Sequence, residues 1–325
     1  MKKTHKYHKY SLNIILVLAL IVGVAGVVRL TSIVHAAPAA VDLQSATPFA
    51  ILSGTPSITD AGNASVINGD VGLSPATGAG IGLLCSQVTG TIYSVDAAGP
   101  LPCRVTNGPL MVTAKNDLTA AFTDVAGRTP VSTVPTELGG TTKTAGVYDS
   151  GSTTFQITAG AGPLVLDGQN DPSSVFIFEM GFGGTGLTVG PGSVVSLING
   201  AQACNVYWRV DTAAINTTAT FKGNILALNS ISVANGANIE GRLLARNGNV
   251  TLINDTITRP TCNATTGGGG GGSTSTTTPG LPNTGGKEDS DKTPAILAVS
   301  LASVVVVGIG AYHLSRKKQS PLRKR

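Results

Sequence analysis

The chain has 325 residues, with 22 Lys plus Arg against 17 Asp plus Glu and a formal net charge of +5. That excess sits in the two ends: between Val41 and Thr284 nine basic residues face fourteen acidic ones, a balance of −5. Nucleic-acid binding, which needs clustered basic charge, therefore loses its support. All four histidines (His5, His8, His35 and His313) lie outside 41–262. Ser-His-Asp and Cys-His pairs, HExxH zinc sites and histidine bases are thus excluded there, and no cofactor or metal is expected.

In chain order, Lys2, Lys3, Lys6 and Lys9 precede an apolar run from Ile14 to Val28 and the small-residue sites Val34-His35-Ala36 and Ala37-Pro38-Ala39. This pattern predicts an export signal over residues 1–36. Residues 41–262 then form the one globular unit, rich in Gly and Thr and poor in aromatics. Asn107-Gly108-Pro109 supplies a helix cap and a proline at the first helical position. Leu110, Ala114, Leu118, Ala121, Phe122 and Val125 follow at three- and four-residue spacings, predicting one amphipathic helix of four to five turns. Its apolar stripe should pack lengthwise on a β structure. Strand-length apolar segments recur afterwards between turn residues, at 163–167, 175–179, 194–198, 205–209, 224–228 and 242–245. Short strands with small residues at the turns suit a sandwich or a solenoid.

Cys85, Cys103, Cys204 and Cys262 make an even set in an exported chain, the usual setting for disulfides. Three pairings are possible; the local arrangement, Cys85 with Cys103 and Cys204 with Cys262, is the expected one. No CxxC spacing exists. Residues 265–280 are Thr, Gly and Ser with Pro279, and predict a solvated linker. Leu281-Pro282-Asn283-Thr284-Gly285 opens the last segment, 281–325, which continues with an apolar run over 294–312 and a tail carrying Arg316, Lys317, Lys318, Arg323, Lys324 and Arg325. The apolar run, at about 1.5 Å per residue, just crosses a hydrocarbon core about 30 Å thick. The basic tail favours the cytoplasmic side. The order resembles the LPxTG cell-wall sorting signal of Gram-positive bacteria. That resemblance implies transient contact with a sortase, cleavage after Thr284, linkage of Thr284 to peptidoglycan, and a membrane contact only before sorting. The implied location is the cell surface.

The globular region carries a second resemblance. Phe49-Ala-Ile-Leu-Ser-Gly54, Ile67-Asn-Gly-Asp-Val-Gly72, Leu164-Val-Leu-Asp-Gly168, Val175-Phe-Ile-Phe178, Asn199-Gly-Ala-Gln-Ala-Cys-Asn-Val-Tyr-Trp208, Gly223-Asn-Ile-Leu-Ala227 and Gly241-Arg-Leu-Leu-Ala-Arg-Asn-Gly248 occur in one order. Together they resemble the ice-binding-like (DUF3494, antifreeze-type) family. The resemblance implies an all-β fold with one long helix: a discontinuous right-handed β-solenoid of triangular section, with the helix along one face. It further implies a flat β-face that adsorbs to ice. Family members carry T-(A/G)-x-(T/N) motifs there, and the corresponding places are Thr217-Thr-Ala-Thr220, Asn235-Gly-Ala-Asn238 and, more weakly, Thr158-Ala-Gly-Ala161. Thr217, Thr220, Asn235, Asn238 and Thr158 are therefore the predicted ice-binding residues, expected on one exposed, helix-free face.

Two other functions are weighed against that one. A surface adhesin could bind a polysaccharide or another cell through the same face, but the domain's single Trp, Trp208, lies in an apolar strand segment. An enzyme would need clustered carboxylates. Asp167 and Asp171 flank a Gly-Gln-Asn turn instead, while Arg242 and Arg246 are expected to pair with Asp211 or Glu240. The chain is read as a non-enzyme.

Overall fold

The computed structural model describes residues 38–129, 131–180 and 186–263. The predicted export signal (1–36), linker (265–280) and sorting signal with its 294–312 span lie outside the described residues. Among those described, no helix is long and apolar enough to cross a membrane.

The short apolar segments become strands that pair in parallel and stack into three sheets. In spatial order the first sheet runs Arg104–Thr106, Ile92–Ser94, Asp70–Leu73, Phe49–Ser53, Asn238–Ala245, Thr220–Ala227, Val206–Val210, Phe176–Glu179, Gly146–Asp149 and Val131–Thr133. The second runs Thr154–Ile157, Gly186–Val189, Ala213–Ile215, Ile231–Val233, Val250–Leu252, Ile58–Asp60 and Ile81–Gly82. The third holds Val195–Ile198, Leu164–Asp167 and Thr142–Lys143. It continues through the bridge Val194–Thr220 into the first halves of Thr220–Ala227 and Asn238–Ala245, then into Thr256–Thr258 and Val66–Asn68. Each of those two eight-residue strands thus serves two sheets.

The stacking order departs from chain order. Phe49–Ser53 sits between Asp70–Leu73 and Asn238–Ala245, and Ile58–Asp60 sits between Val250–Leu252 and Ile81–Gly82. The first coils of the chain are therefore stacked on its last ones. Helix α1, Gly108–Ala126, carries the chain back to the opposite end of the first sheet, where Val131–Thr133 begins the second run.

In-register pairing aligns like side chains into columns. On the inner side of the first sheet, Ile51, Leu243, Ile225, Trp208, Phe178 and Tyr148 follow one another across adjacent strands. Trp208 is fully buried, stacks on Phe178 at 4.2 Å and donates its indole N–H to the Lys222 carbonyl at 3.1 Å. That satisfies the one polar atom that burying a tryptophan exposes to penalty. As expected of a strand residue, Trp208 offers no platform to a sugar.

The outer side of the same sheet is covered by α1. Asn107 accepts a hydrogen bond from the Leu110 amide at 3.1 Å, capping the helix as its sequence predicts. The buried stripe is Met111, Ala114, Leu118, Ala121, Phe122 and Val125, packed on Leu52, Leu244, Leu226, Ile177 and Val147. Met111, rather than the expected Leu110, opens the stripe. Polar contacts fix its position. The Lys115 ammonium donates to the carbonyls of Ala245 and Arg246 at 2.6 Å each, and Asp117 accepts from Ser45. The guanidinium groups of Arg209 and Arg246 lie 4.6 and 4.7 Å from the Phe122 ring centre.

Both disulfides adopt the local pairing, Cys85–Cys103 and Cys204–Cys262, with sequence separations of 18 and 58. Loop closure of those lengths stabilises by about 3 and about 4 kcal/mol in the chain-entropy model. Thiol labelling of the native protein should accordingly find no free cysteine, and reduction should lower the thermal midpoint; a readily alkylated cysteine would contradict the pairing. Burial, together with the nearby Arg246 charge, lowers the Lys115 amine to about 7 from an ordinary 10.5. Between those values the unfolded chain binds more protons than the folded one, so stability from this group rises as pH climbs from 7 towards 10.5. Unfolding midpoints measured across that range should climb, and Lys115→Met should flatten the slope; an unaltered slope would show that another group sets it.

Candidate functional site

The second sheet is free of helix and presents a row of uncharged side chains, small in all but one strand. In each of its strands the residues on either side of the middle point inward. Phe155 and Ile157, Leu187 and Val189, Ile231 and Val233, and Val250 and Leu252 are all buried. Their middle residues face outward. Direct cross-strand pairing strings these together as Gln156, Thr188, Ala214, Ser232, Thr251, Thr59 and Gly82. Adjacent strands lie about 4.8 Å apart, and alternate residues along one strand about 6.7 Å. Four of the seven positions carry a hydroxyl and none carries a charge; the bridge Glu137–Gln156 adds a carboxylate only beyond the Gln156 end of the row. Threonine adds a methyl and a stiff χ1, so its two groups hold fixed positions.

At the turn into the third sheet six coils place a residue in the left-handed region, whereas the turn after Ile81–Gly82 is made by the 3-10 turn Cys85–Gln87. The six are Gly160 at φ 80°, Gly192 at 66°, Thr218 at 57°, Gly236 at 78°, Asn254 at 55° and Asn63 at 54°. Backbone hydrogen bonds stack the turns: Gly192 N–H on the Thr217 carbonyl, Thr218 N–H on that of Asn235, and Gly236 N–H on that of Ile253, at 2.9 to 3.1 Å. Buried carboxylates hold them as well. Asp255 accepts from the amides of Ala237 and Ile253 at 2.9 and 2.8 Å, and burial pushes its carboxyl up. Burial would raise Asp60 too, but amide donors Ser65 and Asn254, with the Gln87 side chain, keep it below the usual range.

Both four-residue motifs contain such a turn, so their residues do not share one plane. Thr217 and Asn235 are exposed at the turn itself, beside the left-handed Thr218 and Gly236. Thr220 and Asn238, directly paired with each other, open the strands of the third sheet and face outward there with Thr256 and Val66. The expectation of one common face fails because the left-handed residue redirects the chain inside each motif. Neighbouring coils and a helix-free location hold for all four. Thr158 stands at the equivalent turn of another coil, where its hydroxyl and amide bond the Glu137 carboxylate.

The third sheet differs chemically from the second. Next to Thr220 and Asn238 its outer row reads Lys222, Glu240, Thr258 and Asn68, with Lys222 and Glu240 paired at 2.7 Å. An ammonium holds its own hydration tightly and imposes its own water geometry. The signal that finds the second-sheet row is a repeated three-residue alternation: Leu187-Thr188-Val189, Ala213-Ala214-Ile215, Ile231-Ser232-Val233 and Val250-Thr251-Leu252.

The charged candidates for catalysis are absorbed into structure. Asp167 accepts from the Gln169 amide and the Asn199 side chain at 2.8 and 2.9 Å, and Asp171 accepts from Ser173, both closing turns. The expected partners of the two arginines are corrected. Glu240 pairs with Lys222, and Asp211 accepts from Asn229 at 2.6 Å. Arg242 instead donates to the Thr47 carbonyl, the Asn224 side chain and the Pro260 carbonyl, while Arg246 reaches Thr119 and the Phe122 ring. No group of three or more metal-ligating side chains occurs among the described residues.

Stacked parallel sheets, one helix laid along the first, and an open, in-register outer row on the second define a mostly-β, solenoid-like class. Residues 51–258 match the family described as Ice-binding-like, and the chain belongs to that family. It is similar to an ice-binding protein of Colwellia sp., 38% identical over 234 residues covering 71% of this chain and 88% of the relative. A second relative, an ice-binding protein of Flavobacterium frigoris (strain PS1), is 39% identical over 224 residues, 68% of this chain and 76% of that one. The solved DUF3494 domain of Shewanella frigidimarina ice-binding protein 1 aligns with a TM-score of 0.62 at 31% identity, covering 70% of this chain and 100% of that one.

Two substitutions separate the sheets. If the chain contacts ice as the names of its relatives suggest, Thr251→Tyr, in the middle of the second-sheet row, reduces ice affinity several-fold, while Thr220→Tyr on the third sheet leaves most of it. Both positions are on the outer surface, where substitutions usually cost under about 0.5 kcal/mol, so folding should survive. Ice-affinity partitioning of the folded variants is the check, and the reverse ranking would move the contact to the third sheet.

Proposed function

We propose that this protein adsorbs to ice through the outer side of its second sheet, with Thr217 and Asn235 at the border of the contact. The observation that carries the reading is the in-register, uncharged row from Gln156 to Gly82. Hydroxyls and methyls held at fixed repeats order adjacent water into a layer that joins the crystal lattice. A rigid sheet loses little conformational freedom on binding. Adsorption requires no acid, base or metal, so the protein is read as a non-enzyme, as the names of its relatives suggest. The coil is taken as right-handed and triangular in section, which gives the second sheet its own flat side.

The exported chain is attached to the cell wall in this reading. Leu281, Pro282, Asn283, Thr284 and Gly285 form the sortase motif, and Thr284 is joined to peptidoglycan. The supporting observation is the ordered series of pentapeptide, apolar run and basic tail.

Purified protein added to a growing ice crystal should facet it and slow recrystallisation. Ordinary crystal shape and growth at high protein concentration would reject the ice reading. For attachment, Thr284→Ala should leave the chain in the membrane fraction; covalent wall linkage of that variant would reject the sorting reading.

A further inference from the structure

The chain does not leave the fold at the end of its last strand. After Thr256–Thr258, residues 259–263 run back across neighbouring coils as a strap along the turns that join the third sheet to the first. The Arg259 amide donates to the Asn68 carbonyl at 2.9 Å, and Arg242 donates to the Pro260 carbonyl at 3.4 Å. Cys262 is then joined covalently to Cys204. Beyond it, the Asn263 amide donates to Gln202 at 2.7 Å, and Gln202 donates back to the Asn263 carbonyl at 3.3 Å. Gln202 and Asn205 also donate to the Pro172 carbonyl, at 2.8 and 3.1 Å, tying this turn to the next coil. The exit point is thus the turn beside Cys204, whose following strand, Val206–Val210, is flanked in the first sheet by Thr220–Ala227 and Phe176–Glu179.

The disulfide closes a covalent loop that contains three central strands of the second sheet, Ala213–Ile215, Ile231–Val233 and Val250–Leu252. Those strands carry Ala214, Ser232 and Thr251, the centre of the outward row. Tension on the chain beyond residue 263 would otherwise peel Thr256–Thr258, whose three residues pair with Asn238–Glu240 on one side and Val66–Asn68 on the other. Peeling from a strand end breaks such bonds one after another. With the bond in place, the pull also enters at Cys204, and the stretch between 204 and 262 cannot be drawn out of the fold from its C-terminal side.

We propose that the strap is a load coupling and that the domain is built to hold ice under tension. The proposal rests on the reading that the second sheet contacts ice. A protein that acted only when free in solution would draw no benefit from shielding the central contact strands from a pull at its C-terminal side.

The test couples the full chain to beads through a biotin within its Gly/Ser/Thr run and measures the force that detaches beads from ice. Cys204→Ser/Cys262→Ser should keep ice shaping by the free protein within about twofold, yet detach at no more than about half the wild-type force. Equal detachment forces would overturn the proposal. Should the double variant not fold, wild-type beads are compared before and after reduction, at a temperature where circular dichroism stays native, with the same two outcomes. A parallel set is coupled near Pro38, from which a pull does not run through the Cys204–Cys262 bond, and should be unaffected by reduction. Equal weakening of both sets would mean general softening and would also overturn the coupling. Oxidised wild-type beads that never hold ice would reject the ice reading itself, a result distinct from equal forces.

Discussion

A left-handed residue at six of the turns between the second and third sheets governs the rest of the structure. Gly160, Gly192, Thr218, Gly236, Asn254 and Asn63 all take that conformation, so these six coils turn at the same place and re-enter the stack in register. Register matters more in a solenoid than in a hairpin. A slip of one residue would send an entire strand's inner side chains outward. Thr218 shows the strength of the requirement, because a β-branched residue rarely adopts positive φ. The turn is held there by the bond from its amide to the Asn235 carbonyl on one side and by that from the Gly192 amide to the Thr217 carbonyl on the other.

From that register come two surfaces with opposite fates. The outer side of the first sheet aligns Leu52, Leu244 and Leu226 in one column, continued by Arg209, and it is buried by α1. The outer side of the second sheet carries hydroxyls and small groups in equivalent columns and stays open. The first arrangement gains burial free energy of about 25 cal/mol per Å² of apolar area. The second gains none in folding, and a flat, neutral, regular surface is what contact with a periodic solid requires. Its regularity is inherited from the core beneath it: Phe155, Leu187, Ile231, Val250 and Ile58 stack inside as evenly as the outer row does outside.

Much of this fold was legible in the chain. The capped, three-four spaced stripe marked α1, and the short apolar runs marked strands now found at Leu164–Asp167, Phe176–Glu179 and Val206–Val210. The site was harder to read for a physical reason. A four-residue motif such as Thr217 to Thr220 looks like two side chains of one strand, because strand periodicity pairs residues two apart and a turn is invisible unless it contains Gly, Asn or Pro. Asn235-Gly236 carried such a signal; Thr217-Thr218 did not. The second-sheet row escaped because its strands are only two to four residues long, and one central Thr or Ser among apolar neighbours carries no signal until the coils are stacked. The arginines misled similarly. Arg242 lies two residues from Glu240, but its guanidinium is drawn to backbone carbonyls that only the folded ends of the domain bring near.

The central claim is that the second-sheet row orders water at the repeats of an ice-like layer. A high-resolution crystal structure with ordered waters tests it directly. Waters should sit in ranks over Thr188, Ala214, Ser232, Thr251 and Thr59, with spacings of about 4.8 Å across strands and about 6.7 Å along them. Ranked waters over Thr220, Asn238 and Thr256, with a disordered layer over the second sheet, would contradict it.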